Sequence, residues 1–193
     1  MRDVVLGVTG GRYYEFFDLP LALRLDAAAL QKRFYELSRQ WHPDRFVARP
    51  PADRQLALDN TALLNDAFRA LRDPVLRAEY FLEQNGLAAS GQGSGNVPMD
   101  LLEEALELNM ALEEVDPADP NSLSELNRFH DQFGALLADV DRTLDAQFAK
   151  FDSEAEARAE TLTAIRQTLN RRKYISNLTS KIEKALQAVP AAS

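Results

Sequence analysis

A segment that is rich in glycine and free of charge divides this chain of 193 residues into two parts. The segment, NGLAASGQGSGNVP at residues 85–98, contains four of the eight glycines, a composition typical of a flexible linker. Helical patterns precede and follow it, and no sustained alternation of polar and apolar residues indicates a strand. The sequence therefore predicts an all-α protein with two helical domains.

The two parts differ in charge. Residues 1–80 carry 12 Lys and Arg against 11 Asp and Glu, a charge of +1, whereas residues 81–193 carry 10 against 19, a charge of −9. A pI of about 4.9 argues against nonspecific nucleic-acid binding. The absence of cysteine excludes disulfides and thiolate metal sites, and no apolar run approaches the roughly 20 residues of a membrane span. We expect a cytoplasmic protein that has no cofactor or metal and binds no membrane.

The region before the linker contains a helix that is amphipathic and ends at a proline. Asp26 is a suitable N-cap, and the helix ends near Trp41 because Pro43 lacks the backbone N–H that would continue it. With about 100° between successive residues, Lys32 and Arg39 lie nearly opposite the apolar side of the helix. They therefore face solvent or a partner. The apolar side consists of Leu30, Phe34, Leu37 and Trp41.

A third helix, from about Ala52 to the "DP" at residues 73–74, pairs with the second to form an antiparallel hairpin. Short helical patterns at residues 12–17 and 75–83 flank the hairpin. The predicted apolar face of the third helix consists of Leu56, Leu64, Ala67, Phe68 and Leu71.

The loop between the two hairpin helices reads WHPDRF, at residues 41–46. A histidine near a carboxylate suggests acid–base chemistry, but the sequence offers no nucleophile, metal set or second histidine nearby, since His130 lies in a distant acidic stretch. A second alternative is that Asp44 only caps a helix. The third is that the proline fixes the backbone and presents the side chains of His42 and Asp44 to a partner.

Several stretches together resemble the J-domain of DnaJ-type co-chaperones. They are YYEFFDLP, the helix AALQKRFYELSRQWHPDRF with its His-Pro-Asp loop, and LLNDAFRALRDPVLRAEY. The short loop, the RAEY ending and the acidic second part are similar to the HscB family of iron–sulfur cluster assembly co-chaperones. Trp41 departs from the Tyr that is common in J-domains, and about ten extra residues precede the first helix.

The resemblance implies that the first domain binds a heat-shock-class chaperone and stimulates its ATPase, with no enzymatic activity of its own. Asp44 would be the decisive contact, and the cations would steer the encounter, although Lys32 and Arg39 are also compatible with a merely solvated helix face. The implied chaperone-binding residues are Lys32, Arg33, Arg39, His42, Pro43, Asp44 and Arg45.

The first helix after the linker, in MDLLEEALELNMALEEV, is apolar on two sides. One stripe consists of Leu101, Ala105, Leu108, Leu112 and Val115. A second stripe consists of Met99, Leu102, Leu106 and Met110, flanked by Glu103, Glu107 and Glu114. Only two long helical patterns follow, at about residues 121–151 and 153–189, so a three-helix bundle would bury the first stripe and leave the second exposed.

In the HscB family this helix and an aromatic residue of the last helix bind the iron–sulfur scaffold protein of the IscU type. The implied scaffold-binding residues are Leu102, Leu106, Glu107, Met110, Glu114 and Tyr174. Tyr174 is equally compatible with simple packing inside the bundle.

The resemblance thus predicts a two-domain adaptor that brings an IscU-type scaffold to an HscA-like chaperone. An alternative is a J-domain protein that serves another client or associates with itself. The predicted segments are an N-terminal extension at residues 1–10, a J-domain at 11–84, the linker at 85–98 and a scaffold-binding three-helix bundle at 99–193.

Overall fold

The computed structural model describes residues 8–87, 99–116 and 119–188. No strand occurs in these ranges, and the predicted all-α class is confirmed. Most of the predicted linker lies outside the described residues. The helices are α1 (Gly11–Phe17), α2 (Ala27–Trp41), α3 (Pro51–Arg72), α4 (Pro74–Gln84), α5 (Leu102–Glu113), α6 (Pro120–Ser153) and α7 (Arg158–Gln187).

The chain forms two compact units, and the division does not follow the linear order of the helices. The first unit contains residues 1–89 and 146–166, and the second contains residues 90–145 and 167–193. The end of α6 and the start of α7 thus belong to the first unit. The sequence did not predict this assignment, because it placed the whole of α6 and α7 in the C-terminal bundle.

Aspartates fix where two helices of the first unit, α2 and α4, begin. The carboxylate of Asp26 accepts hydrogen bonds from the backbone N–H groups of Ala28 and Ala29, as expected of the N-cap of α2. Asp73 caps α4 in the same way, with Pro74 at the first helical position. The starts of α2 and α4 are therefore determined by residues in the local sequence.

Leu56 is a correction to the predicted face of α3. It is 51% exposed, whereas the neighbouring Ala57 is fully buried. Ala57, Leu64 and Leu71 follow at seven-residue intervals, which places them on one side of the helix against the core. Leu56 is rotated by about 100° from Ala57 and does not continue that line.

Three side chains from three helices hold the segment that joins α1 to α2. The phenol of Tyr14 donates to the carbonyl of Ala22 at 2.8 Å, and Nε of Arg77 donates to the carbonyl of Leu23 at 2.8 Å. The carboxylate of Asp152 accepts from the N–H groups of Leu23 and Arg24 at 2.7 and 2.9 Å. Every one of these bonds joins residues far apart in sequence or in different elements, so the segment is fixed by tertiary contacts.

Arg77 and Tyr14 are buried polar residues in this joint. Nη1 of Arg77 also donates to the carbonyl of Leu71 at 2.6 Å, so the buried guanidinium is hydrogen-bonded to two backbone carbonyls. Burial raises the pKa of the Tyr14 phenol well above its ordinary value, and the nearby Arg77 opposes that shift. The phenol therefore remains protonated and continues to donate its hydrogen bond.

Aromatic packing attaches the end of α6 to α4. The rings of Phe81 and Phe151 are both fully buried and meet edge to face at 5.2 Å between centroids. The guanidinium of Arg158, at the start of α7, lies over the ring of Phe151, 5.2 Å from its centroid. Nε of Arg158 also donates to the backbone carbonyl of Phe151. Phe148, Leu162 and Ile165 are buried as well. The first unit thus has a core that residues 11–84 alone do not complete.

The segment before α1 is tied to the end of α4. The side-chain amide of Asn85 accepts from the N–H of Thr9 at 2.9 Å and donates to the carbonyl of the same residue at 2.8 Å. Gly11 has a φ of +67°, and a Cβ there would lie 2.5 Å from Gln84, so only glycine fits. Residues 8–10 are therefore part of the first unit, while residues 1–7 of the predicted extension lie outside the described residues.

The second unit has a continuous apolar core built from α5, α6 and α7. Its aromatic members, Phe129 and Phe133, lie on α6 one helical turn apart. No helix in the described ranges is both long enough and apolar enough to cross a membrane. The core consists of Leu101, Ala105, Leu108, Leu126, Phe129, Phe133, Val140, Ile175, Leu178 and Ile182.

We predict that Asp152→Ala destabilises the first unit by about 2–3 kcal/mol, because two backbone N–H groups lose a charged acceptor. Urea unfolding followed by the fluorescence of Trp41, the single tryptophan, measures this unit. Asp66→Ala on α3, in the same unit, is the control. It removes only an exposed pair with Arg69 and should change the free energy of unfolding by less than about 0.5 kcal/mol. Equal effects of the two variants would contradict the proposed role of the Asp152 carboxylate.

Candidate functional site

The His-Pro-Asp loop is a short, exposed 3₁₀ helix between α2 and α3. His42 has an extended backbone, φ −59° and ψ 125°, as expected before a proline, and Pro43 opens the 3₁₀ helix that ends at Phe46. The carboxylate side chain of Asp44 is 86% exposed. The proline thus ends α2 and turns the next side chain outward.

The relation between His42 and Asp44 does not support acid–base chemistry. Nδ1 of His42 accepts a hydrogen bond from the backbone N–H of Asp44 at 3.3 Å and lies 3.6 Å from Oδ2 of that residue. A nitrogen that accepts from an N–H carries no proton, so the approach to Oδ2 is not an ion pair while the imidazole is neutral. The imidazole therefore braces the turn, and the carboxylate remains available to a donor on another molecule.

Contacts from the helices on both sides fix the loop. The hydroxyl of Thr61 on α3 lies 3.0 Å from the carbonyl of Trp41, and Nη1 of Arg45 donates to the carbonyl of Arg39 at 3.0 Å. The rings of Trp41 and Phe46 stack with an interplanar angle of 11°. Arg45 is thereby held beside the last turn of α2, and the loop is a defined surface.

The outer face of α2 carries the cations that the sequence predicted. Lys32 and Arg39 are both exposed and lie two turns apart on that face. Tyr35 lies between them, is also exposed, and was not predicted as a site residue. Tyr35 is three residues after Lys32 and four before Arg39, and this helical spacing places it on the same face as the two cations. The spacing is the sequence signal that could have identified Tyr35 as a site residue. The face therefore combines charge with an aromatic ring.

Arg33 differs from the other predicted cations. It is only partly exposed, its Nε donates to the carbonyl of Phe17 at the end of α1, and its Nη1 lies 3.5 Å from Glu36. Part of its hydrogen-bonding capacity therefore ties α1 to α2. The structure brings Arg39, His42, Asp44 and Arg45 together around the loop, with Lys32 further along α2.

The second candidate surface lies on α5. Ala105 and Leu108 are buried in the core of the second unit, as the first predicted stripe requires. The second stripe is exposed as predicted, because each of its members has more than half of its surface open to solvent. We call this set the α5 stripe. It consists of Met99, Leu102, Leu106 and Met110.

The glutamates predicted to flank the α5 stripe are also exposed, but the side chain of Tyr174 is only partly exposed. Glu103, Glu107 and Glu114 face solvent. Tyr174 on α7 is partly buried and packs against the core cluster of the second unit. The ring therefore contributes to packing and keeps one part accessible, so both of its predicted roles remain compatible with the structure.

Comparisons with known proteins agree in pointing to one group. A family model described as the HSCB C-terminal oligomerisation domain matches residues 97–183. A co-chaperone protein HscB homolog from Vibrio atlanticus (strain LGP32) is 35% identical over 173 residues, which cover 89% of this chain and 94% of the relative. The homolog from Shewanella loihica (strain ATCC BAA-1088 / PV-4) is 33% identical over 178 residues, or 92% of this chain and 98% of the relative.

Solved structures share the same architecture. The chaperone HscB from Vibrio cholerae superposes with a TM-score of 0.66 at 29% sequence identity, covering 92% of this chain and 99% of that protein. The human co-chaperone protein HscB superposes with a TM-score of 0.68, covering 93% of this chain and 83% of that protein. Its sequence identity is 23%, so this second likeness concerns the fold alone.

We predict that Asp44→Ala changes the free energy of unfolding by less than about 0.5 kcal/mol, because the carboxylate is exposed and accepts no capping hydrogen bond within residues 8–87. Asp26→Ala, which removes the N-cap of α2, should cost about 1 kcal/mol and is the matched control. Urea unfolding followed by Trp41 fluorescence measures both. If Asp44→Ala lowered the free energy of unfolding as much as Asp26→Ala does, the interpretation of Asp44 as a helix cap would be supported instead.

Proposed function

Because the chain belongs to the HscB family of co-chaperones, we propose that it stimulates the ATPase of an HscA-like chaperone and delivers an IscU-type scaffold protein to it. Delivery promotes transfer of the iron–sulfur cluster and maturation of iron–sulfur proteins. The cluster is cargo in this proposal, and the protein is an adaptor that performs no catalysis. A cytoplasmic location, as predicted from the sequence, is part of the proposal.

The observation that carries the proposal is that each unit exposes a surface of different chemistry. The first unit exposes a carboxylate on a braced loop beside cations, and the second exposes the α5 stripe. Four large apolar side chains on one exposed helix face have a solvation cost that a partner would remove. Two surfaces of such different chemistry suit two different partners.

On the chaperone side, Asp44 is the contact that we expect to carry most of the energy. Its carboxylate has no donor from His42 and can accept hydrogen bonds from a cationic group of the chaperone. Removing one partner of a desolvated charge pair costs about 2–5 kcal/mol. Lys32, Arg39 and Arg45 increase the rate of encounter and make it dependent on salt, because they remain at the solvated edge.

On the scaffold side, the α5 stripe supplies an adaptable apolar centre. Met99 and Met110 are unbranched and can adjust their shape to a partner, while Leu102 and Leu106 provide the central contact area. The exposed carboxylates of Glu107 and Glu114 lie at its rim, where charges select orientation more than they add affinity.

A carrier with two binding surfaces accelerates a reaction without taking part in it. When one surface holds the scaffold and the other holds the chaperone, the second encounter becomes intramolecular. The effective concentration of the scaffold near the chaperone then exceeds its free concentration. The chaperone hydrolyses ATP, and the carrier determines when and on which client it does so.

We predict that Asp44→Asn reduces stimulation of the chaperone ATPase by about tenfold or more, because the variant loses the charge that a cationic partner group requires. Steady-state hydrolysis by the HscA-like chaperone is measured with scaffold present. Asp66→Asn, an exposed aspartate of α3 paired with Arg69, is the control and should stimulate normally. An Asp44→Asn protein that stimulates as well as the parent would refute the proposed contact.

We predict that Leu102→Ala combined with Leu106→Ala weakens binding of the scaffold by about 30-fold or more, because both side chains lose contact area at the centre of the surface. Isothermal titration calorimetry with the purified scaffold protein measures the affinity. Leu58→Ala with Leu76→Ala, two exposed leucines of the first unit, is the matched control and should bind normally. Equal affinity of both double variants would favour another client or self-association, which sedimentation velocity detects.

A further inference from the structure

The glutamates that flank the α5 stripe lie along one of its two edges, whereas Glu113, also exposed, lies within the stripe at the end of α5, about 20° from Leu106. Taking Leu106 as the reference and about 100° for each residue, Glu103, Glu107 and Glu114 lie between about 60° and 100° around the helix in one direction. All three are exposed. Asn109 lies about 60° in the opposite direction, between the stripe and the buried face. The two long edges of the stripe are thus chemically different.

The edge opposite the glutamates borders α7. Nζ of Lys181 donates to Oδ1 of Asn109 at 3.3 Å, and the guanidinium of Arg171 forms an ion pair with Asp100, just before α5. Arg171, Tyr174 and Lys181 follow at intervals of three and seven residues, so they lie on one side of α7. The neighbouring Arg172 instead pairs with Asp141 of α6, which marks the other side of the helix.

The two cations on this edge differ in how much charge they present. Asp100 neutralises Arg171, whereas Lys181 contacts a neutral amide and keeps its full charge. Within the described ranges no carboxylate oxygen lies within 4.0 Å of Nζ of Lys181. The side chain is exposed. The surface is therefore polarised across its width, from flanking glutamates through the apolar stripe to an ammonium group that is hydrogen-bonded to Asn109 but has no carboxylate partner in the described ranges.

We infer that Lys181 determines the orientation of the scaffold protein on this surface by binding an acidic group of the scaffold. The inference rests on the proposed scaffold-binding function and concerns the same surface. A scaffold face that fits must present an apolar centre, basic groups toward Glu103 and Glu107, and an acidic group toward Lys181. The reversed orientation would place like charges together along both edges, and such contacts are unfavourable.

The contribution of Lys181 differs in kind from that of the leucines. An ammonium group at a solvated rim acts through Coulombic attraction that salt screens, with a Debye length of about 10 Å at 0.1 M. Leucine contacts depend little on salt of this concentration, because they arise from the removal of apolar surface from water. Salt dependence therefore separates the inference about Lys181 from the proposed role of the α5 stripe.

The experiment measures the affinity of the purified IscU-type scaffold for full-length variants at about 50 mM and about 300 mM salt. We expect Lys181→Glu to weaken binding about tenfold at the lower salt, and to differ from the parent by about threefold or less at the higher salt. Lys181→Arg should bind within about twofold of the parent, because it restores the charge. Circular dichroism melting confirms that each variant is folded.

Lys173→Glu is the matched control, since it makes the same change of charge on an exposed lysine of the same helix. Lys173 lies about 80° around α7 from Lys181, away from the edge beside α5. We expect it to alter the affinity less than about twofold. Equal effects of Lys181→Glu and Lys173→Glu would overturn the inference, because net charge alone would then explain them.

The leucine variant separates a failure of the inference from a failure of the proposed function. If the Leu102 and Leu106 double variant loses binding while Lys181→Glu binds normally, scaffold binding by the α5 stripe is supported and the inferred role of Lys181 is wrong. If the parent does not bind the scaffold at all, the proposed delivery and the inference both fail. If Lys181→Glu instead abolishes self-association of the parent, the occupant is a second copy and the assignment to the scaffold is overturned.

Discussion

Three side chains hold the short segment between α1 and α2, and the first unit depends on that contact. A phenol from α1, a guanidinium from α4 and a carboxylate from α6 bind the backbone of residues 22–24. The segment places α1 against the helical hairpin and at the same time joins the end of α6 to it. The edge-to-face contact of Phe81 and Phe151 adds apolar burial to this polar joint. A partly buried segment of a few residues thereby links helices that are distant in the sequence into one core.

The two proposed recognition surfaces follow from one rule applied to two helices. In α2 and in α5, one face of the helix packs against the core of its unit. The opposite face is exposed to solvent and can contact another molecule. On α2 the free face carries cations and Tyr35 and leads into the braced loop. On α5 it carries the apolar stripe.

Features with a local cause could be predicted from the sequence. The N-cap Asp26, the break at Pro43 and the two stripes of α5 each depend on residues within a few turns of one another, and the structure has them as expected. Contacts between distant residues could not be predicted, because no pattern marks Asp152 as the partner of residues 23 and 24, or Lys181 as the partner of Asn109. Leu56 was misplaced for a different reason: the prediction favoured the larger side chain, although Ala57 is the residue that continues the seven-residue spacing of Leu64 and Leu71.

The joint at residues 22–24 also bears on how such a protein can change over evolutionary time. Residues 8–87 do not contain all of the first unit. If this segment were transferred to another protein, the N–H groups of Leu23 and Arg24 would lose the carboxylate of Asp152, and Phe81 would lose the ring of Phe151. Exchange of this region between proteins requires the end of α6 to be inherited with it. The α5 stripe contributes nothing to that joint, so substitutions among its exposed side chains leave the contacts of the first unit intact.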